Sequence, residues 1–167
     1  MEPPRDVIGW REWVAVHGLD LPPIKAKVDT GARTSCLHAY RMRGFKRRGV
    51  RWVRFHVHPL QHDTATSIVC EAPVVDRRWV ADSGGHRSKR YVIEAPITLG
   101  GHTWKIEITL TSRDTMLFRM LLGRSALRGR FLIDPQASFV LGGDRRRPPR
   151  SVITSEDASE DRPTLAQ

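Results

Sequence analysis

With 167 residues, a formal net charge of +10, 40% hydrophobic and 28% charged residues, the chain has the composition of one globular domain with a polar fringe. It contains no apolar run of about eighteen residues, and its opening MEPPRDVIGW lacks the basic-then-apolar order of a secretory signal. A membrane span is therefore excluded and a cytoplasmic location expected. Lys and Arg total 28 against 18 Asp and Glu, an excess that favours anionic partners without choosing among them.

Residues 1–19 read as an N-terminal segment, part of it helical, ahead of a β domain over 20–143. A short strand over 24–28 runs into Asp29-Thr30-Gly31-Ala32, in the stretch KVDTGARTSCLHA. Gly31 permits a sharp turn and close approach of its N–H to the Asp29 carboxylate, and Thr30 can hydrogen-bond across a neighbouring loop. A carboxylate held in this way serves hydrolysis chiefly when a second one shares a proton with it, one acting as base towards water and the other as acid.

Beyond it, Arg41 to Arg54 carries Arg and Lys throughout and no acid, which reads as a solvated hairpin or a partner-binding surface. Val53, Phe55 and Val57 alternate with Arg54, His56 and His58 in a strand, and further short strands are expected at 67–71 and 74–80. Asp82 to His86, with Gly84-Gly85 at its tip, then separates 74–80 from a strand over 89–99. Gly100-Gly101 turns that strand into 103–111, where Trp104, Ile106, Ile108 and Leu110 share one face and Lys105, Glu107 and Thr109 the other. Near the end come Met120 to Leu127, a short helix over 125–128, and strands at 130–134 and 138–141. From Asp144 to Gln167 the sequence loses all periodicity, basic first and acidic later, and reads as a disordered tail.

The combination of an apolar strand, DTGA, and a later Leu121-Leu122-Gly123-Arg124 resembles the retropepsin-like aspartic proteases. It is closer to the RimK-associated branch that has carried the label "ATP-dependent zinc protease". The matching stretches are KVDTGARTSCLHA, WVADSGGHRSKRYVIEAPITLGG and WKIEITLTSRDTMLFRMLLGRSALRGRFLIDP. The resemblance implies an all-β fold, a small closed β-barrel with one short helix after the LLGR motif, the second motif threaded beneath the DTG loop. It implies a homodimer, because one domain supplies one aspartate. Asp29, Thr30 and Gly31 would be catalytic. Ala32, Arg33, Ser83, Gly84 and Gly85 would meet substrate, with Asp82 to His86 as a flap. Leu122, Gly123, Arg124 and His38 would support the loop, His38 by hydrogen-bonding it.

Two departures are visible. The distance from Asp29 to Arg124 leaves room for an inserted hairpin within 40–80. Arg33 replaces the acid that pairs with the GR arginine in viral enzymes, so that ion pair cannot form and the cleft becomes more cationic. The link to RimK, a ligase that adds glutamates to a ribosomal protein tail, implies a peptide or protein substrate with acidic tails and a functional tie to such a ligase.

No cofactor is expected. There is no Walker A sequence for ATP. His56, His58 and His62 have metal-like spacing, but His56 and His58 lie on the wet side of a strand, and no H-E-x-x-H or C-x-x-C appears. Cys36 and Cys70 are expected as free thiols, and Cys36 near His38 does not make a cysteine-protease pair. The competing function is a catalytically silent module whose hairpin, Arg41 to Arg54, binds RNA or an acidic peptide, with Trp52 and Phe55 for stacking.

Overall fold

The structure is a computed structural model that describes residues 3–113 and 115–153. Its main sheet has seven strands in the order β10 (His102–Thr111), β4 (Ser35–His38), β11 (Met120–Gly123), β3 (Ile24–Asp29), β2 (Arg11–Val16), β9 (Arg87–Leu99), β8 (Asp76–Ala81). Because β10 also pairs with β9, six of these strands close a ring of hydrogen bonds, and β8 hangs on its outside. Apolar alternates of β9 and β10 point into the ring: Ile93, Ile97, Ile108 and Leu110 are buried there beside Leu37 and Met120. Each such side chain withdrawn from water contributes about 1.5–3 kcal/mol.

The second sheet is a three-stranded meander of β5 (Tyr40–Arg47), β6 (Val50–Val57) and β7 (Ile68–Pro73). Arg48 and Gly49 both have positive φ, 51° and 77°, and make the two-residue turn that suits the twist of antiparallel strands. The inner face of this sheet, with Val53, Phe55, Val57, Cys70 and Ala72, packs onto the same core. The inserted hairpin expected within 40–80 is this meander. Arg41 to Arg54 spans its first turn.

Three expectations are corrected. The first concerns the N-terminal segment, which contains strands and, among its described residues, no helix. β1 (Asp6–Gly9) pairs in parallel with β12 (Phe131–Asp134), and β2 sits between β3 and β9. From Glu12 to Val16 every residue of β2 is buried, so both faces are covered and no period of two survives to distinguish strand from helix.

Next, residues 138–141 form no strand: Val140 and Leu141 lie in a turn closed by the Gly142 N–H on the Phe139 carbonyl at 3.1 Å. Val140 and Leu141 donate their N–H groups to the buried Glu12 carboxylate at 3.0 and 3.1 Å, and Phe139 has φ of 53°, so these groups are not free for a ladder.

Finally, the expected disordered tail is ordered in its first part. Trp13 Nε1 donates to the Asp144 carbonyl at 2.7 Å, and Lys25 Nζ to that of Arg145 at 2.9 Å. A 3-10 turn at Arg150–Val152 buries Val152 against Trp13, Ala15 and Phe139. The rest of that tail, 154–167, lies outside the described residues.

Candidate active site

The Asp29 loop is a product of its strand and its glycine. β3 delivers Asp29 at its last position, and the backbone then reverses so that the N–H groups of Gly31 and Ala32 both donate to Asp29 Oδ1, at 3.1 and 3.2 Å. Ala32 N–H also reaches the Asp29 carbonyl at 3.2 Å. The carboxylate is thus half-buried and fixed through one oxygen. Oδ2 takes part in neither of these bonds. A Cβ on Gly31 would come within 3.2 Å of that same Oδ1, so glycine keeps the turn tight.

The LLGR strand holds the loop from behind. β11 runs parallel to β3, with Gly123 opposite Asp29, and antiparallel to β4 on its other side. At Gly123 a Cβ would meet the backbone of Thr34 at 2.6 and 2.8 Å and Ser35 N at 2.9 Å, so only glycine passes. Its N–H donates to Ser35 Oγ at 3.1 Å. Arg124 and Ser125, the first residues of α1 (Arg124–Leu127), donate backbone N–H groups to the carbonyls of Ala32 and Arg33 at 2.9 and 3.0 Å.

The Arg124 guanidinium donates through Nη1 to the Gly31 carbonyl at 3.1 Å, with a longer 3.5 Å approach to that of Thr30. Arg124 therefore steadies the loop through main-chain oxygens, without the acid whose place Arg33 occupies. Arg33 and Thr30 are exposed, Ala32 is half-buried and Leu122 is buried beneath the loop.

In front of Asp29 opens a cleft of about 1180 Å³. Gly31, Ala32 and Arg33 form one wall, and the β8–β9 hairpin from Arg78 to Ser83 forms another. The hairpin turn is closed by Asp82 N–H to the His86 carbonyl at 2.9 Å and Gly85 N–H to the Asp82 carbonyl at 3.0 Å, with Gly85 at φ of 84°. Ser83 reaches the cleft, and Gly84 and Gly85 make the turn behind it. Trp79, on the same hairpin, lines the cleft while 62% exposed.

The floor is a surface that sequence alternation treats as merely polar: Lys105, Glu107, Thr109 and Thr111 on β10 and Cys36 on β4. Thr109 and Thr111 are buried, and Thr109 Oγ1 donates to the Ser35 carbonyl at 3.3 Å. Alternation alone does not single out this floor, because period two reveals which face is apolar, not what covers the other. A usable signal was present in Thr109 and Thr111, hydroxyls flanking the basic and acidic pair Lys105 and Glu107.

Charge in the cleft is predominantly positive. Arg33, Arg78, Arg90, Lys105, Arg113, Arg124, Arg128 and Arg130 line it, against Asp29, Asp82 and Glu107. Arg78 forks onto Glu107 at 2.6 and 3.1 Å and onto Asp76 at 2.6 Å. Hydrogen bonds from Arg78 hold the Glu107 and Asp76 carboxyls below their ordinary range, and Arg78 itself is raised chiefly by Glu107. The Asp82 carboxyl is lowered by the N–H groups of His86 and Gly84. Burial pushes the Cys36 thiol up, and that of Cys70 up to about 12. Both cysteines are free and buried.

His38 ends β4 and is buried. Its Nδ1 accepts the Arg113 N–H at 3.1 Å, and its ring stacks near Tyr40 and His58. That bond steadies the chain just after β10. His56 and His58 flank Tyr40 in the same stack, His58 contacts the Thr66 carbonyl, and His62 lies in a loop with φ of 60°. No group of three or more His, Cys, Asp or Glu is arranged for a metal among the described residues. Phe55, expected to be available for stacking, is fully buried, and Phe45 lies beside Trp52 instead.

A strand threaded beneath a DTG loop, in a closed sheet with a hairpin beside the carboxylate, defines a retropepsin-like β domain. The chain belongs to the RimB-like family, described as retropepsin-like aspartic endopeptidase RimB, whose model matches residues 7–143. It is 52% identical over 136 residues to a Shewanella halifaxensis protein named probable alpha-L-glutamate ligase, covering 81% of this chain and 30% of that one. A protein of the same name from Parasynechococcus marenigrum is 49% identical over 140 residues, 84% of this chain and 30% of the relative. The chain thus spans about a third of the length of the curated relatives it matches. A solved Legionella pneumophila protein of unknown function superposes with a TM-score of 0.69 at 26% identity, covering 83% of this chain and all of that one.

Proposed function

We propose that this chain is a homodimeric aspartic endopeptidase that cleaves acidic, glutamate-rich peptide tails. Asp29 of two copies meets across a twofold axis, and the pair shares one proton. The ionised carboxylate takes a proton from water as that water attacks the scissile carbonyl, and the protonated one donates to the carbonyl oxygen. Thr30 and Gly31 brace the dyad. Ala32 and Arg33 bind the substrate backbone and side chains, and the hairpin with Ser83, Gly84 and Gly85 closes over them.

The observation that carries this reading is Asp29 itself, pinned through Oδ1 by two N–H groups at the mouth of a cleft with eight basic and three acidic lining residues. Such a field draws in acidic peptides. Long relatives named glutamate ligases support the same substrate class, because a hydrolase of glutamate tails would undo what a ligase of that name builds.

The test is Asp29→Asn assayed on a glutamate-rich peptide across acidic pH, beside a sedimentation measurement of the dimer. Activity should fall by about a thousandfold or more, and the wild type should give a bell-shaped pH profile. Unchanged cleavage by the variant, or an active strict monomer, would sink the proposal.

A second reading, a silent module that binds RNA, is favoured by the outer face of the meander. There Phe45 and Trp52 stack at 6.4 Å and the Arg47 guanidinium lies 4.4 Å from the Trp52 ring centre, with Arg43 and Arg54 exposed beside them. Binding that falls steeply with salt, in the absence of proteolysis, would favour it.

A further inference from the structure

Arg90 is the one cleft-lining arginine that is more than nine-tenths buried and has no carboxylate within ion-pair distance among the described residues. Only 8% of it is exposed. Its hydrogen-bond partners are neutral: Nε donates to Ser88 Oγ at 3.2 Å, and Nη1 lies 3.8 Å from Cys36 Sγ. The register sets it opposite Arg78 on β8, but Arg78 is occupied by Glu107 and Asp76. Arg113 adds a second positive charge near the same thiol, which feels both guanidiniums, and Glu107 is turned to Arg78.

A buried cation beside another cation and a thiol has no internal compensation for the water it gives up. The guanidinium is held through Nε and Nη1, and among the described residues Nη2 has no protein partner, a geometry suited to recognition of a carboxylate arriving from the cleft.

We infer that Arg90, with Arg113 beside it, forms the subsite that receives a carboxylate side chain of the substrate, and so sets the preference for Glu over Gln at one position of the cleaved peptide. This rests on the proposed peptidase reading for its biological use but not for its test. Arg33, exposed at the rim, contributes to attraction at long range. Arg90, desolvated on the floor, discriminates, because a neutral amide at that place leaves the buried charge unmatched.

The test uses the full chain in an Asp29→Asn background, so that binding is read without turnover. Fluorescence anisotropy measures a labelled glutamate-rich peptide and the same peptide with every Glu changed to Gln. Arg90→Met should weaken the Glu peptide at least tenfold and leave the Gln peptide within twofold, while Arg33→Met should weaken the Glu peptide less and lose its effect in high salt. Arg90→Lys should retain part of the preference.

Thermal melts control for folding. Removing an unmatched buried charge should leave the melting temperature unchanged or raise it, whereas an Arg that serves only the fold would lower it. Equal losses for both peptides, no loss for either, or a collapse of stability in both Arg90 variants would overturn the inference. If wild-type protein cleaves nothing yet Glu binding depends on Arg90, the peptidase reading fails and the subsite stands. If Asp29 is required for cleavage and Arg90 has no effect on Glu preference, the reverse holds.

Discussion

The closed sheet and the three-stranded meander share one core, but they hold their outer features in different ways. In the closed sheet β11 passes between β3 and β4, and its end approaches Thr34 and Ser35 so closely that backbone meets backbone at Gly123. In the meander each strand joins its neighbour in sequence order, and its outer side chains project away from the core. The placement of Asp29 is therefore set by main-chain packing that cannot be adjusted locally, whereas the charges of the meander are carried by side chains that can be exchanged. Substitutions can show how far this contrast holds.

The largest effect is expected at Gly123. Its φ of −81° is open to any residue, so Gly123→Ala tests steric approach alone. A methyl group 2.6 Å from the Thr34 carbonyl carbon must push β11 away from β4. The cost should be about 3 kcal/mol, a fall in melting temperature of roughly 6 to 12 °C, together with loss of any Asp29-dependent activity. A melt within a degree of wild type would break the comparison. Ser35→Ala comes next. It leaves the buried Gly123 N–H without its Oγ acceptor, 3.1 Å away, and should cost about 1–3 kcal/mol in urea unfolding. A loss below that range would place the rigidity elsewhere.

Much of this architecture is legible in the sequence where a local rule coincides with the tertiary outcome. The strand over 24–28, the Gly100-Gly101 turn and the short helix after Gly123 all appear where pattern and turn chemistry put them, within a residue or so. The meander also follows from its alternation. What failed was settled by distant partners. β2 is buried on both faces and loses its period, Val140 and Leu141 give their N–H groups to Glu12 from far upstream, and Val152 finds a niche beside Trp13.

The site divides in the same way. Asp29, Gly31 and Arg124 are visible as motifs because backbone turns need particular residues. Arg78, Arg90 and Arg113 are not, because a solvated arginine and one lining a cleft are written identically. β6 and β10 make this plain: both alternate apolar with polar residues, yet Arg54 faces solvent and Thr109 is buried in the cleft floor.

Glu107 sharpens the contrast from the cleft side. Its carboxyl is held low by hydrogen bonds from Arg78, so its contribution to stability is present above the ordinary carboxylate range and is lost as pH falls through its lowered folded value. Both partners are more than a third exposed, side chains at 37% and 40%, so solvent screening limits the pair to about 1 kcal/mol or less. Glu107→Gln should lose that amount near pH 6 and progressively less as pH falls, read from urea unfolding across that range. A difference that is constant with pH would assign the effect to packing instead of charge.

The smallest effect is expected on the outer face of the meander. Arg54 is exposed and stands directly between Arg43 on β5 and Glu71 on β7. Removing it relieves one like-charge contact and forfeits one attraction, while Glu71 keeps its 2.6 Å bond to Arg47. Thr is well suited to an exposed strand, so Arg54→Thr should change stability by less than about 0.5 kcal/mol and leave cleavage of an acidic peptide untouched. The same variant weighs the two functional readings. If the meander holds RNA, loss of one phosphate contact should lower affinity and reduce the slope of binding against salt by about one. If its charge serves only solvation, RNA binding will be absent in wild type and variant alike, and the cationic surface that matters to function is the cleft.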